Sequence, residues 1–159
     1  MHQLTRRAAL TGVILCLAGC GSRSERPSRA VMAEVPLYPN ETPELRLLIN
    51  KYADIHEIPV SLLHRVIVRE STHNPVARNG PYYGLMQILP ATARSMGYQG
   101  PPEGLLDAET NLRYAGKYLR GAWLVSDGNE EAAVGWYARG YYFEAKQRGL
   151  LVETGLRQG

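Results

Sequence analysis

The sequence predicts an all-α domain, on three observations. Apolar residues recur at helical offsets from Leu45 to Trp136, the gaps between these runs hold helix-cap and helix-stop residues, and no segment alternates as a strand does. A first helix opens at Thr42-Pro43, an N-cap followed by proline at the first helical position, and Leu45, Leu48, Ile49 and Tyr52 supply its inward face. The second begins near Pro59 or Val60 and ends before Asn74-Pro75, because the residue preceding a proline is pushed out of helical geometry. A short third helix starts at Pro90 and stops at Gly97. Asp107 caps a fourth, with Leu112, Ala115, Leu119 and Ala122 along one side and Gly116 leaving room for a close neighbour. After the Asp127-Gly128 turn, Asn129 caps a fifth helix carrying Trp136 and Tyr137, and a sixth is expected from Tyr141 to Arg148 before Gly149.

The N-terminus reads differently. Arg6 and Arg7 precede an apolar run from Ala8 to Ala18, too short for the roughly 20 residues of a membrane-spanning helix, and the run ends in Leu17-Ala18-Gly19-Cys20. Residues 1–19 are therefore expected to be an export signal. Its end resembles the lipobox of bacterial lipoproteins, which implies lipidation of Cys20 and a periplasmic protein anchored to a membrane; Gly21 resembles the outer-membrane class. "TRRAAL" also bears a partial likeness to a twin-Arg signal. Loss of residues 1–19 removes two of 18 basic and none of 15 acidic side chains, leaving a net charge of +1. No basic stripe points to nucleic acid. Cys16 leaves with the signal, so no thiol pair remains. Residues 20–41, rich in Ser, Arg and Pro, read as a linker, 42–149 as one compact domain and 150–159 as a C-terminal tail.

Glu70 is the residue that does not fit its surroundings. Leu63, Val66 and Ile67 precede it on one helical face, and Glu70 occupies the next position of that apolar stripe, in the helix's last turn. Burial and the partial negative charge of a helix C-terminus both raise a carboxyl pKa, favouring the protonated form that a general acid needs. A core Glu bonded to a Ser, Tyr or Arg fits the same pattern.

Glu70-Ser71, Asn74-Pro75, Gly84-Leu85-Met86-Gln87, Pro90-Ala91-Thr92-Ala93 and Asp107 with Asn111 form an ordered set. It resembles the motifs of bacterial lytic transglycosylases of the soluble, Slt-like type, over roughly Leu45 to Gly140. The resemblance implies a goose-lysozyme-like helical domain of five to six helices with a substrate cleft, acting on peptidoglycan glycan strands. It implies Glu70 as the single catalytic acid and Ser71 as the small polar residue after it. Ser71, Asn79, Met86, Gln87 and Asn111 would bind the substrate, with Met86 and Gln87 lining the sugar cleft and Asn111 on the helix behind it, and Tyr137 would match the aromatic residue of a "YNAG" signature, a catalytic residue with its phenol near the acid. Met86 equally suits the core and Asp107 a helix cap.

Two departures stand out. "YARG" replaces "YNAG", so that Arg139 stands at a small residue's position, either pairing with a wall carboxylate or facing solvent. Asn79 stands where a Ser often contacts the N-acetyl group. Tyr82, Tyr83, Tyr98, Tyr137, Tyr141 and Tyr142 gather near the predicted cleft loops, and aromatic faces suit sugars. His56, His64 and His73 lack the spacing of a helical zinc site, and there is no phosphate loop or serine elbow, so no metal and no cofactor is expected. Protein partners are not specified and a monomer is expected.

Glycoside hydrolysis ordinarily uses a second carboxylate. Glu103, Asp107, Glu109, Glu130 and Glu131 sit at caps, first turns or loops, none on an apolar face. The resemblance then implies intramolecular attack and 1,6-anhydroMurNAc ends. A non-catalytic peptidoglycan-binding or scaffold module of a secretion apparatus is the alternative.

Overall fold

The computed structural model describes residues 36–157. The export signal, Cys20 and the first part of the linker lie outside the described residues. Six helices follow in order: α1 (Pro43–His56), α2 (Val60–Ser71), α3 (Pro90–Ser95), α4 (Ala108–Val125), α5 (Glu130–Arg139) and α6 (Tyr142–Arg148). Among the described residues no helix is long and apolar enough to cross a membrane. Each predicted cap is made: Thr42, Asp107 and Asn129 accept the N–H of Leu45, Thr110 and Ala132 at 3.2, 2.8 and 2.9 Å. Gly149 closes α6 in the left-handed conformation, φ 73°.

The long helix α4 is the axis of the domain and packs against α1 and α5. Its Leu112, Ala115, Leu119 and Ala122 are fully buried and meet Ile49 of α1 and Leu62, Leu63 and Ile67 of α2 in one core. Each large aliphatic side chain so buried contributes about 1.5–3 kcal/mol. Gly116 lets the His56 ring lie against the α4 backbone, where a Cβ would collide with it.

Two elements differ from expectation. Arg78–Asn79 (β1) and Tyr82–Tyr83 (β2) form an antiparallel hairpin, and Pro102–Leu106 forms a 3-10 helix where a loop was expected. The domain is also longer at both ends than 42–149. Residues 36–41 are folded, with Glu41 only 7 % exposed. At the other end Leu150, Leu151 and Leu156 pack on the core and the Thr154 hydroxyl donates to the Leu150 carbonyl.

Candidate active site

Glu70 stands where the apolar stripe of α2 leaves the core. Leu63, Val66 and Ile67 are at most 1 % exposed, whereas the Glu70 side chain retains 24 % of its surface. The carboxyl is therefore half-buried in a groove wall and not sealed in the dry interior that the stripe suggested. α2 ends just beyond it, where Thr72 turns left-handed (φ 50°) and its N–H closes on the Val68 carbonyl. Burial pushes the Glu70 carboxyl above its ordinary pKa, opposed by Arg69, whose Nε lies 3.6 Å from Oε1.

The groove has two compartments. The first, about 320 Å³, is lined by Glu70 and Arg69 on one side and by Asn79, Tyr82, Gln87 and Tyr137 on the other. It shares Tyr82, Gln87, Tyr137 and Ala138 with a second of about 210 Å³, which ends at Thr92, Tyr118, Arg139 and Gly140.

The loop Gly84–Gln87 carries Gln87 to this groove, and three helices hold the loop in place. Ser71 of α2 donates its hydroxyl to the Leu85 carbonyl at 2.7 Å. Tyr137 of α5 donates its hydroxyl to the Met86 carbonyl at 2.8 Å. Asn111 of α4 accepts the Met86 N–H at 3.0 Å and donates to the carbonyls of Tyr83 and Leu105 at 2.9 and 2.8 Å. Gly84 is obligatory: its φ is +75° and a Cβ would collide with the Asn111 amide and the Leu105 carbonyl. Gln87 donates its amide to the carbonyls of Ala77 and Gly84, at 3.1 and 2.9 Å, while its Oε1 is buried with no partner in the protein. That oxygen is an unsatisfied acceptor behind the groove wall.

Several expected substrate contacts are corrected by these bonds. Met86 and Asn111 are fully buried, so the first fills the core and the second is a loop brace. Ser71 and Tyr137 have committed their protons to the loop's carbonyls, so both position the wall. The Tyr137 ring still lines the groove, and its phenol is pushed well up by burial and by the Glu70 charge. Asn79 and Gln87 line the groove. Tyr83, Tyr98 and Tyr141 belong to the core. At the groove's far end, Thr92 comes from the Pro90-Ala91-Thr92-Ala93 motif, whereas Tyr118 was not singled out in the sequence; it sits on α4 four residues after Tyr114, where the helical period alone marks it only as partly inward. Arg139 is exposed, with its guanidinium 3.8 Å from the Trp136 ring centre.

Among the described residues Glu70 is the one carboxylate lining either compartment. Asp107 caps α4, Glu109 accepts from Lys51 at 2.7 Å, and Glu130 accepts from Ser61 at 2.6 Å.

Away from the groove, Glu41, His64 and His73 bring potential ligand atoms within 4.8 Å of one another. Sequence spacing hid this grouping. The Arg46 guanidinium forks the Glu41 carboxylate (Nε to Oε1 2.6 Å), His64 Nδ1 and His73 Nε2 lie 3.0 Å apart, and the Tyr38 ring stacks on both imidazoles at 4.8 Å. A cation would have to compete with the guanidinium for the carboxylate, so the donors suit a polar clasp that ties residues 36–41 to α1 and α2.

The family model described as Transglycosylase SLT domain matches residues 47–150. No solved structure matches the chain.

Proposed function

Because this chain belongs to the transglycosylase SLT family, which acts on peptidoglycan, we propose that it is a catalytically competent lytic transglycosylase that cleaves the MurNAc–GlcNAc β-1,4 bond and leaves 1,6-anhydroMurNAc ends. The observation that carries this reading is that, among the described residues, Glu70 is the one carboxylate lining the groove. A hydrolase of either stereochemistry places a second carboxylate within about 5–10 Å of the acid, to attack or to activate water. With none lining the groove, Glu70 protonates the leaving oxygen and then, as carboxylate, takes the proton of the muramyl 6-hydroxyl as that oxygen attacks C1. The nucleophile is tethered to its electrophile, so its effective concentration is high without a group to hold water. Asn79 and Gln87 supply a polar lining for the glycan, and Tyr82 an aromatic face.

The alternative, a non-catalytic scaffold of the same fold, draws its support from "YARG", which puts an exposed Arg139 at the groove's far end. A zymogram containing peptidoglycan separates the two. Clearing by the parent and none by Glu70→Gln supports the enzyme; no clearing by either supports the scaffold. We further propose a lipid anchor at Cys20 that holds the domain in the periplasm at the outer membrane, supported by the Leu17-Ala18-Gly19-Cys20 sequence and Gly21. Cys20→Ser should then release the protein from the membrane fraction or block its processing.

A further inference from the structure

A further concavity, about 420 Å³, is separate from the groove that holds Glu70. It lies between the C-terminal end of α3, the exposed side of α4 and the turns of residues 152–157, and its chemistry is basic. Arg94, Lys117, Arg120 and Arg157 line it, against Glu153 as the sole carboxylate. Arg120 is partly neutralised by Glu57 at 3.0 Å, and the Lys117 ammonium donates to the Met96 carbonyl at 3.2 Å. Arg94 and Arg157 form no ion pair among the described residues.

The walls are built. The C-terminal turns are closed by hydrogen bonds from the N–H of Thr154, Gly155 and Arg157 to the carbonyls of Leu150, Val152 and Leu151, at 3.0, 2.9 and 2.9 Å. Gly155, at φ +71°, lies directly on the Lys117 side chain. The location matters as much as the charge. Thr92 lines the far end of the catalytic groove while Arg94 and Ser95, two and three residues further along α3, line the basic one, so the two grooves lie on different faces of the same short helix. On α4 the same handover occurs between adjacent residues, Tyr118 on the catalytic side and Lys117 on the basic side.

We propose that this basic groove is a second binding site, which takes the carboxylate-bearing stem peptide of a muramyl residue seated at the far end of the catalytic groove. The inference rests on the reading of the chain as a peptidoglycan-acting protein. The peptide hangs from the lactyl group of the sugar, and four extended residues span about 14 Å, enough to pass round one side of α3, a helix about 10 Å across. Arg94 and Arg157 offer planar forks that match carboxylates, and Lys117 supplies a point charge between them. A concave site fits a single peptide chain better than the flat face of a membrane.

The test uses the full chain carrying Glu70→Gln, so that binding is read without turnover. Its retention on intact sacculi is compared with retention on sacculi stripped of stem peptides by an amidase, with and without Arg94→Glu and Arg157→Glu together. The double reversal should lower retention on intact sacculi about five- to tenfold and leave retention on stripped glycan unchanged. Equal loss on both preparations, or loss on neither, overturns the proposal. Loss confined to vesicles of anionic phospholipid reassigns the groove to a membrane surface and also overturns it. If neither preparation retains the protein before reversal, the peptidoglycan reading fails first and takes this site with it.

Discussion

In the proposed reaction Glu70 acts as an acid and then as a base, and its position serves both. Desolvation raises its pKa, so the protonated form persists to higher pH than for an exposed Glu, and kcat/KM should fall as pH rises through that raised value. Glu70→Gln should lose turnover by at least about a hundredfold. The same substitution removes the cost of a partly buried charge. A group whose folded pKa is raised opposes folding once ionised, so the variant should melt at or above the parent temperature at pH 8, with the gap closing toward pH 4. Lower melting at pH 8 would show that Glu70 is a structural ion-pair member. Tyr137→Phe behaves differently, because it leaves the buried Met86 carbonyl without its donor. An unsatisfied buried carbonyl costs about 1–3 kcal/mol, so both melting temperature and rate should drop. A rate loss with unchanged melting would mean that the phenol acts on substrate directly.

At the scale of elements, the helices were legible because their ends are chemically marked. Thr42, Asp107 and Asn129 each satisfy an orphan N–H, Gly149 stops α6 where a stop was expected, and α2 ends before Asn74-Pro75 as expected, at a left-handed Thr72. The hairpin was not legible: strands of two residues are too short to show alternation, and Asn79-Gly80-Pro81 reads as a plain loop. The loop brace was half legible. "GLMQ" and Asn111 were singled out, yet sequence order cannot tell a side chain that faces sugar from one that holds a carbonyl 28 residues away. Gly84→Ala should destabilise the domain by about 1–3 kcal/mol, from the left-handed φ and the collision with Asn111, read as a fall in thermal midpoint. An unchanged midpoint would show that the brace yields without cost.

At the scale of the molecule, the sequence placed the domain boundaries too far inward at both ends. Residues 36–41 carry no helical period, so their composition read as linker, whereas Tyr38 and Glu41 are held by partners from α1, α2 and the loop after α2. This clasp sets a pH dependence. Burial holds both imidazoles below the ordinary histidine value, His64 to about 4, with Glu41 pulling the other way. The unfolded chain takes up these protons near pH 6.5 and the folded one does not. Stability is therefore complete above pH 6.5 and falls as pH drops toward about 4. Burial alone would raise the Glu41 carboxyl, but the Arg46 fork and the Tyr38 N–H hold it below its ordinary value, so its own contribution is lost only in stronger acid. A melting temperature flat from pH 7 to pH 4 would contradict the clasp. The whole molecule acting on its polymer gives the most direct test of the central claim, that a lone Glu70 turns the sugar's own hydroxyl against its anomeric carbon. The muropeptides released from purified sacculi are weighed by mass spectrometry. The account predicts products one water lighter than those of a hydrolase, carrying 1,6-anhydroMurNAc and absent from digests by Glu70→Gln. Reducing ends throughout would contradict it.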